Sequence, residues 1–98
     1  MTEGRLLRHS ASTPWRRVGS EIVLAPAGRD DFEVLQGTGA VVWELLEDPS
    51  TEAELLSALA EIYSIAEAQI ATEVGALLGT LVEMGAVEQT EGQDAGRR

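Results

Sequence analysis

Between Phe32 and Tyr63 the chain changes its hydrophobic period, stops at a proline and starts again, and few architectures accommodate that sequence of events. Phe32-Glu33-Val34-Leu35 alternates as a half-buried strand does. From Gly39 the spacing becomes helical: Gly39, Val42, Trp43 and Leu46 fall at i, i+3, i+4 and i+7. Asp48-Pro49 ends that run, because the residue before a proline is pushed out of the α region. A sheet is thus handed over to helices within about eight residues.

Upstream, Trp15-Arg16-Arg17-Val18 alternates apolar and charged groups, Gly19-Ser20 is a turn pair, and Glu21 to Ala25 is β-branched and apolar. Pro26 to Asp30 is dense in turn formers, and residues 31–35 alternate again. Three consecutive strands with short loops predict an antiparallel meander with two open edges. Residues 1–14 show no period and are expected to form a flexible arm, ordered at most near Leu6-Leu7, with the single histidine, His9, in solvent.

Downstream, Thr38 is the expected N-cap of the first helix. Thr51-Glu52-Ala53-Glu54 has the spacing of a capping box and opens a second helix lined by Leu55, Leu56, Leu59, Ile62 and Tyr63. Ser64-Ile65-Ala66-Glu67 has the same spacing and opens a third, running to about Met84, with Gly85 at the position that favours a left-handed backbone. Residues 86–88 return as a short strand or trail away, and 89–98 read as a disordered tail. The third helix carries an apolar arc of roughly 160°, wider than the roughly 100° that covering one core requires. One flank therefore meets another element or lines a groove. Gly75 and Gly79 sit just past one flank, where close packing against a helix or the approach of a bound chain would explain them.

The 98-residue chain suits one domain, 15–88, between arm and tail. Cysteine and lysine are absent, all seven basic residues are arginines, and none lies between Asp30 and Asp94. The helical half is wholly acidic in a chain of net charge −10, which repels a phosphate backbone. One histidine and no cysteine cannot build a zinc site. No glycine-rich phosphate loop, nucleophile–base pair or cofactor motif is present, and no apolar stretch approaches the length of a membrane span. The expectation is a non-catalytic cytoplasmic protein with no metal and no cofactor, bound to neither nucleic acid nor membrane.

The wording of these elements also resembles a known family. Val18-Gly19-Ser20-Glu21-Ile22-Val23-Leu24 precedes Leu35-Gln36-Gly37-Thr38-Gly39 and Trp43-Glu44-Leu45-Leu46. Pro49, Thr51, Leu59 and Tyr63 follow at fixed spacing, then an Ile70–Leu81 helix ending in Gly85-Ala86-Val87-Glu88. The ordered set resembles the PqqD-like family, the peptide chaperones or RiPP recognition elements of ribosomally made, modified peptides, which include the leader-binding proteins of lasso peptide pathways. The resemblance implies an α+β, winged-helix-like fold: a three-stranded antiparallel N-terminal sheet followed by three helices. It also implies that a precursor's leader peptide is taken as an added strand against the third strand and third helix, for presentation to a modifying enzyme or leader peptidase. Carried over by position, the leader-binding residues are Asp31, Phe32, Glu33, Val34 and Leu35 on the strand and Ile70, Glu73, Val74, Leu77 and Leu81 on the helix. Ordinary core is the competing reading for each apolar one. Two other readings stand beside this one: a winged-helix DNA-binding regulator, and a small dimerisation module pairing through the edge strand.

Overall fold

The computed structural model describes residues 5–28 and 30–90. The expected meander is present as β2 (Trp15–Val18), β3 (Glu21–Leu24) and β4 (Glu33–Leu35), antiparallel in the order β2-β3-β4. Gly19, at φ +64°, makes the tight β2–β3 turn in a conformation that side-chain-bearing residues avoid. In register, Arg17 faces Ile22, which faces Leu35, while Arg16 faces Val23, which faces Val34. Because strand side chains alternate, the first row points inward and the second outward. Ile22, Leu24 and Leu35 are buried accordingly.

The helices follow as α1 (Thr38–Leu45), α2 (Glu52–Tyr63) and α3 (Glu67–Glu83). Trp43 and Val42 of α1, Leu55 and Leu59 of α2, and Val74 and Leu81 of α3 are wholly buried and form one core with the inner face of the meander. The Thr51 box is made in full: Glu54 N–H donates to Thr51 Oγ1 at 3.1 Å and Thr51 N–H donates to Glu54 Oε1 at 2.9 Å. Gly85 takes the expected left-handed backbone, at φ +82°.

Two local expectations are corrected. The N-cap of α1 is Gly37, at φ 55°, and Thr38 is already helical, so its hydroxyl caps nothing. Ser64 opens no helix: it ends α2 in the left-handed region, at φ 58°. The α3 N-cap is Ala66, whose N–H donates to Gln69 Oε1 at 3.0 Å. The serine–glutamate spacing was real, but a three-residue link between two helices left room for only one of the two roles.

The larger correction concerns residues 1–14. Leu6–His9 is a strand, β1, at the centre of a second antiparallel sheet in the order β5-β1-β6, with β5 at Ser50–Thr51 and β6 at Val87–Thr90. Leu7 is buried in the common core. Ser10 N–H donates to Ala86 O at 2.8 Å and Thr13 Oγ1 to Gly85 O at 3.4 Å, which ties the β1–β2 link to the end of α3. His9 stacks on Trp43 instead of standing in solvent. A four-residue strand with one buried side chain carries too little periodicity to announce itself, and its partners lie more than 40 residues away in sequence. The residues of the expected tail divide likewise: Gln89 and Thr90 complete β6, and 91–98 lie outside the described residues, as do 1–4.

Candidate functional site

The site expected from sequence is a strand edge beside a helical wall. Among the described residues β4 is terminal in its sheet, with β3 on one side and no further strand on the other. Gly39 of α1 lies against side chains of both β4 and α3. A β-carbon placed on Gly39 would lie 3.7 Å from Leu35 Cβ and 3.8 Å from Leu77 Cδ1. Leu35 of β4, Gly39 of α1 and Leu77 of α3 thus come together beside β4, as the floor of the candidate cleft.

The ten residues carried over from the resemblance separate into two groups. Asp31, Phe32 and Val34 are exposed, Glu33 is half-buried, and Leu35 is buried beneath them. On α3, Ile70, Val74 and Leu81 are buried in the core, where they hold the helix rather than offer a surface. Leu77 is half-buried at the cleft and Glu73, one turn away on the same flank, is exposed. On α3 burial thus sets Ile70, Val74 and Leu81 in the core and leaves Leu77 partly accessible and Glu73 exposed.

The surplus apolar arc of α3 is now accounted for. Its centre is the core; the flank beyond Leu77 faces β4. The opposite flank faces α2, since a β-carbon on Gly75 would meet Glu52 Oε2 at 3.5 Å. Gly79 has nothing within 4 Å of a β-carbon, so tight helix–helix packing explains neither glycine. Both lie about half a turn round from Leu77, away from the cleft.

Two residues beyond the sequence reading share the cleft flank: Thr80 and Met84, three and seven positions after Leu77. Their spacing from Leu77 is the signal that would have found them. Thr80 Oγ1 donates to Ala76 O at 3.1 Å. Acidic groups border the cleft: Glu73 on the helix, and Glu33, which shares the inward face of β4 with Leu35 by strand alternation. α3 itself carries Glu67, Glu73 and Glu83 and no cation, a surface that favours a positively charged side chain on whatever enters and disfavours a phosphate backbone.

Among the described residues no group of three or more histidines and carboxylates is placed to hold a metal ion. No helix among them is long and apolar enough to cross a membrane. The site is a backbone edge, an apolar floor and an acidic rim.

A family model described as Coenzyme PQQ synthesis protein D (PqqD) matches residues 21–87, which span β3 to the start of β6. Among solved structures, "TbiB1 in Complex with the TbiA(beta) Leader Peptide" is similar to this chain with a TM-score of 0.75 and 21% sequence identity, over 83% of this chain and 94% of that one. None of the curated proteins matches the chain.

Proposed function

The chain belongs to the PqqD family, and on that premise we propose that it binds the leader of a ribosomally synthesised precursor peptide and presents it to a modifying enzyme or a leader peptidase. The observation that carries this reading is the cleft itself: a terminal strand, β4, flanked by Leu77 of α3 across the Leu35–Gly39 floor. An extended peptide added to β4 gains backbone hydrogen bonds along its length. Its alternate side chains point into the cleft, which supplies selectivity. One inward side chain meets Leu35 and Leu77, and a neighbouring basic one meets Glu73. The similar TbiB1 structure, which was solved with a leader peptide, supports the same reading.

The protein's part in this scheme is positional. Holding the leader raises the effective concentration of the attached core peptide at a separate enzyme, without any bond being made or broken here. The helices need only be rigid enough to keep Leu77 opposite β4.

The test is a fluorescence-polarisation titration with a labelled leader peptide of a candidate precursor. Val34→Pro, which removes a backbone donor from β4, and Leu77→Glu, which puts a like charge beside Glu73, are each expected to lower affinity at least about ten-fold. Circular dichroism establishes that the fold is kept. Wild-type affinity in both folded variants would refute strand addition at this edge.

A further inference from the structure

The outward face of the β2-β3-β4 sheet is apolar where the solvent face of a half-buried sheet is ordinarily polar. Register places Arg16, Val23 and Val34 in one row across the three strands, and Val18, Glu21 and Gln36 in the next. Phe32 lies two residues before Val34 on the same side. Val18 is 50% exposed, Val34 47% and Phe32 69%. They are three of the five large hydrophobic residues exposed among those described. Between Phe32 and the β2–β3 hairpin lies an open recess of about 570 Å³ whose walls include Pro14, Trp15, Val23 and Ala25.

Arg16 stands on the rim of this recess. Of the other described arginines, Arg5 donates to Gln89, Arg8 pairs with Glu88 and Arg17 pairs with Glu44 on the inner face. The Arg16 guanidinium has no ion pair or hydrogen bond among the described residues. In a chain of net charge −10 an unanswered cation beside exposed aliphatic and aromatic groups calls for a particular complement. The one nearby carboxylate in the two rows, Glu21, already accepts from Gln36 Nε2 at 2.7 Å. A second copy of the chain would bring this same patch to meet itself, again with a cation and without an uncommitted acid.

The geometry points to a second docking surface, on the face of the sheet turned away from α3, for a partner protein that presents an acidic side chain next to a large apolar one. The apolar group fills the recess between Phe32 and Ala25, and the carboxylate answers Arg16. This surface shares Phe32 and Val34 with the leader-binding strand, but Arg16, Val18 and Val23 lie on β2 and β3, away from the β4 edge that a leader would pair with. Both could be occupied at once, which a presenting protein requires.

Two capped pentapeptides serve as probes, Leu-Asp-Phe-Asp-Leu and its lysine counterpart Leu-Lys-Phe-Lys-Leu, titrated into the full chain while backbone amide shifts are followed. The expected result is saturable shifts at Val18, Val23 and Phe32 with the acidic peptide and about five-fold weaker binding of the basic one. Arg16→Glu should invert that order, and Val18→Asp should weaken both. Neither variant should change affinity for a leader peptide, so failure of this surface is separable from failure of the cleft. Absence of saturable shifts, equal affinity for the two peptides, or shifts confined to Leu35 and Leu77 would overturn the assignment. Concentration-dependent dimerisation of the unliganded chain that Phe32→Ser removes would overturn it too, by giving the face to a second copy.

Discussion

His9 lies flat on Trp43: the ring centroids are 3.8 Å apart, the planes 11° from parallel, and His9 Nε2 is 2.7 Å from the backbone oxygen of Trp43. Trp15 closes the group edge-on, 5.5 Å from His9 and 5.8 Å from Trp43. Three aromatic rings from β1, β2 and α1 therefore join the two sheets to the first helix. The short distance to a carbonyl requires Nε2 to carry the proton, so the neutral ring is held as one tautomer.

Burial lowers the His9 pKa below its ordinary 6.5, against the opposing pull of the Trp43 carbonyl and the Glu47 carboxylate. A base with a depressed folded pKa binds fewer protons when folded. Its contribution to stability is thus complete above the unfolded pKa and is lost as pH falls from about 6.5 through the folded value. Urea midpoints measured between about pH 7.5 and pH 5.5 should fall with pH, and the slope should flatten in His9→Phe, which keeps a ring on Trp43 but cannot titrate. An equal slope in that variant would remove His9 as the cause.

Trp43 is wholly buried, yet its Nε1–H has no hydrogen-bond partner among the described residues. Two costs of opposite sign are therefore combined at one side chain. Trp43→Ala empties the centre of the core and should cost about 3–5 kcal/mol, a large share of a small domain's stability. Trp43→Phe also loses volume, but it removes a stranded donor whose desolvation costs about 1–3 kcal/mol. Chemical denaturation should show the phenylalanine variant within about 2 kcal/mol of wild type.

The two ends of α2 respond oppositely to simplification. Thr51→Ala breaks a reciprocal pair of hydrogen bonds and should cost about 1 kcal/mol. Ser64→Gly relieves a left-handed backbone at φ 58° and should stabilise by about 1 kcal/mol. Thermal melts of the two variants should move in opposite directions by a few degrees. A Ser64→Gly protein that melts below wild type would contradict the C-cap assignment.

How far the sequence could be read follows from what each element depends on. The β2–β4 meander and the three helices arise from local patterns, strand alternation and helical spacing over eight or more residues, and they were legible. β1 was not, because Leu6–His9 owes its order to Gln89, Val87 and Ser50, none of them near in sequence. The cleft was half legible for a related reason. Helical spacing put Ile70, Val74, Leu77 and Leu81 on one arc but could not say where that arc meets the sheet. Only the contact of Leu77 with the Leu35–Gly39 floor divides wall from core. Ser64 shows the limit of motif spacing: four residues fit a capping box, and the preceding helix claimed the serine first.

That division of α3 is itself testable, because neighbouring leucine and valine side chains are assigned different duties. Val74 is wholly buried, and Val74→Ala should destabilise by about 1–3 kcal/mol while leaving leader affinity of the folded protein unchanged. Leu77 is only half-buried, so Leu77→Ala should cost less than about 2 kcal/mol but weaken leader binding about ten-fold or more, because it lines the cleft rather than the core. Glu73→Lys should leave stability within about 0.5 kcal/mol of wild type. It should lower affinity for a leader with a basic side chain at the inward position and raise it for one with an acid there. Denaturation midpoints and polarisation titrations on the same three proteins separate the two duties. If Val74→Ala lost affinity in step with Leu77→Ala, the two residues would act as one wall and the cleft would have to be redrawn along the centre of α3.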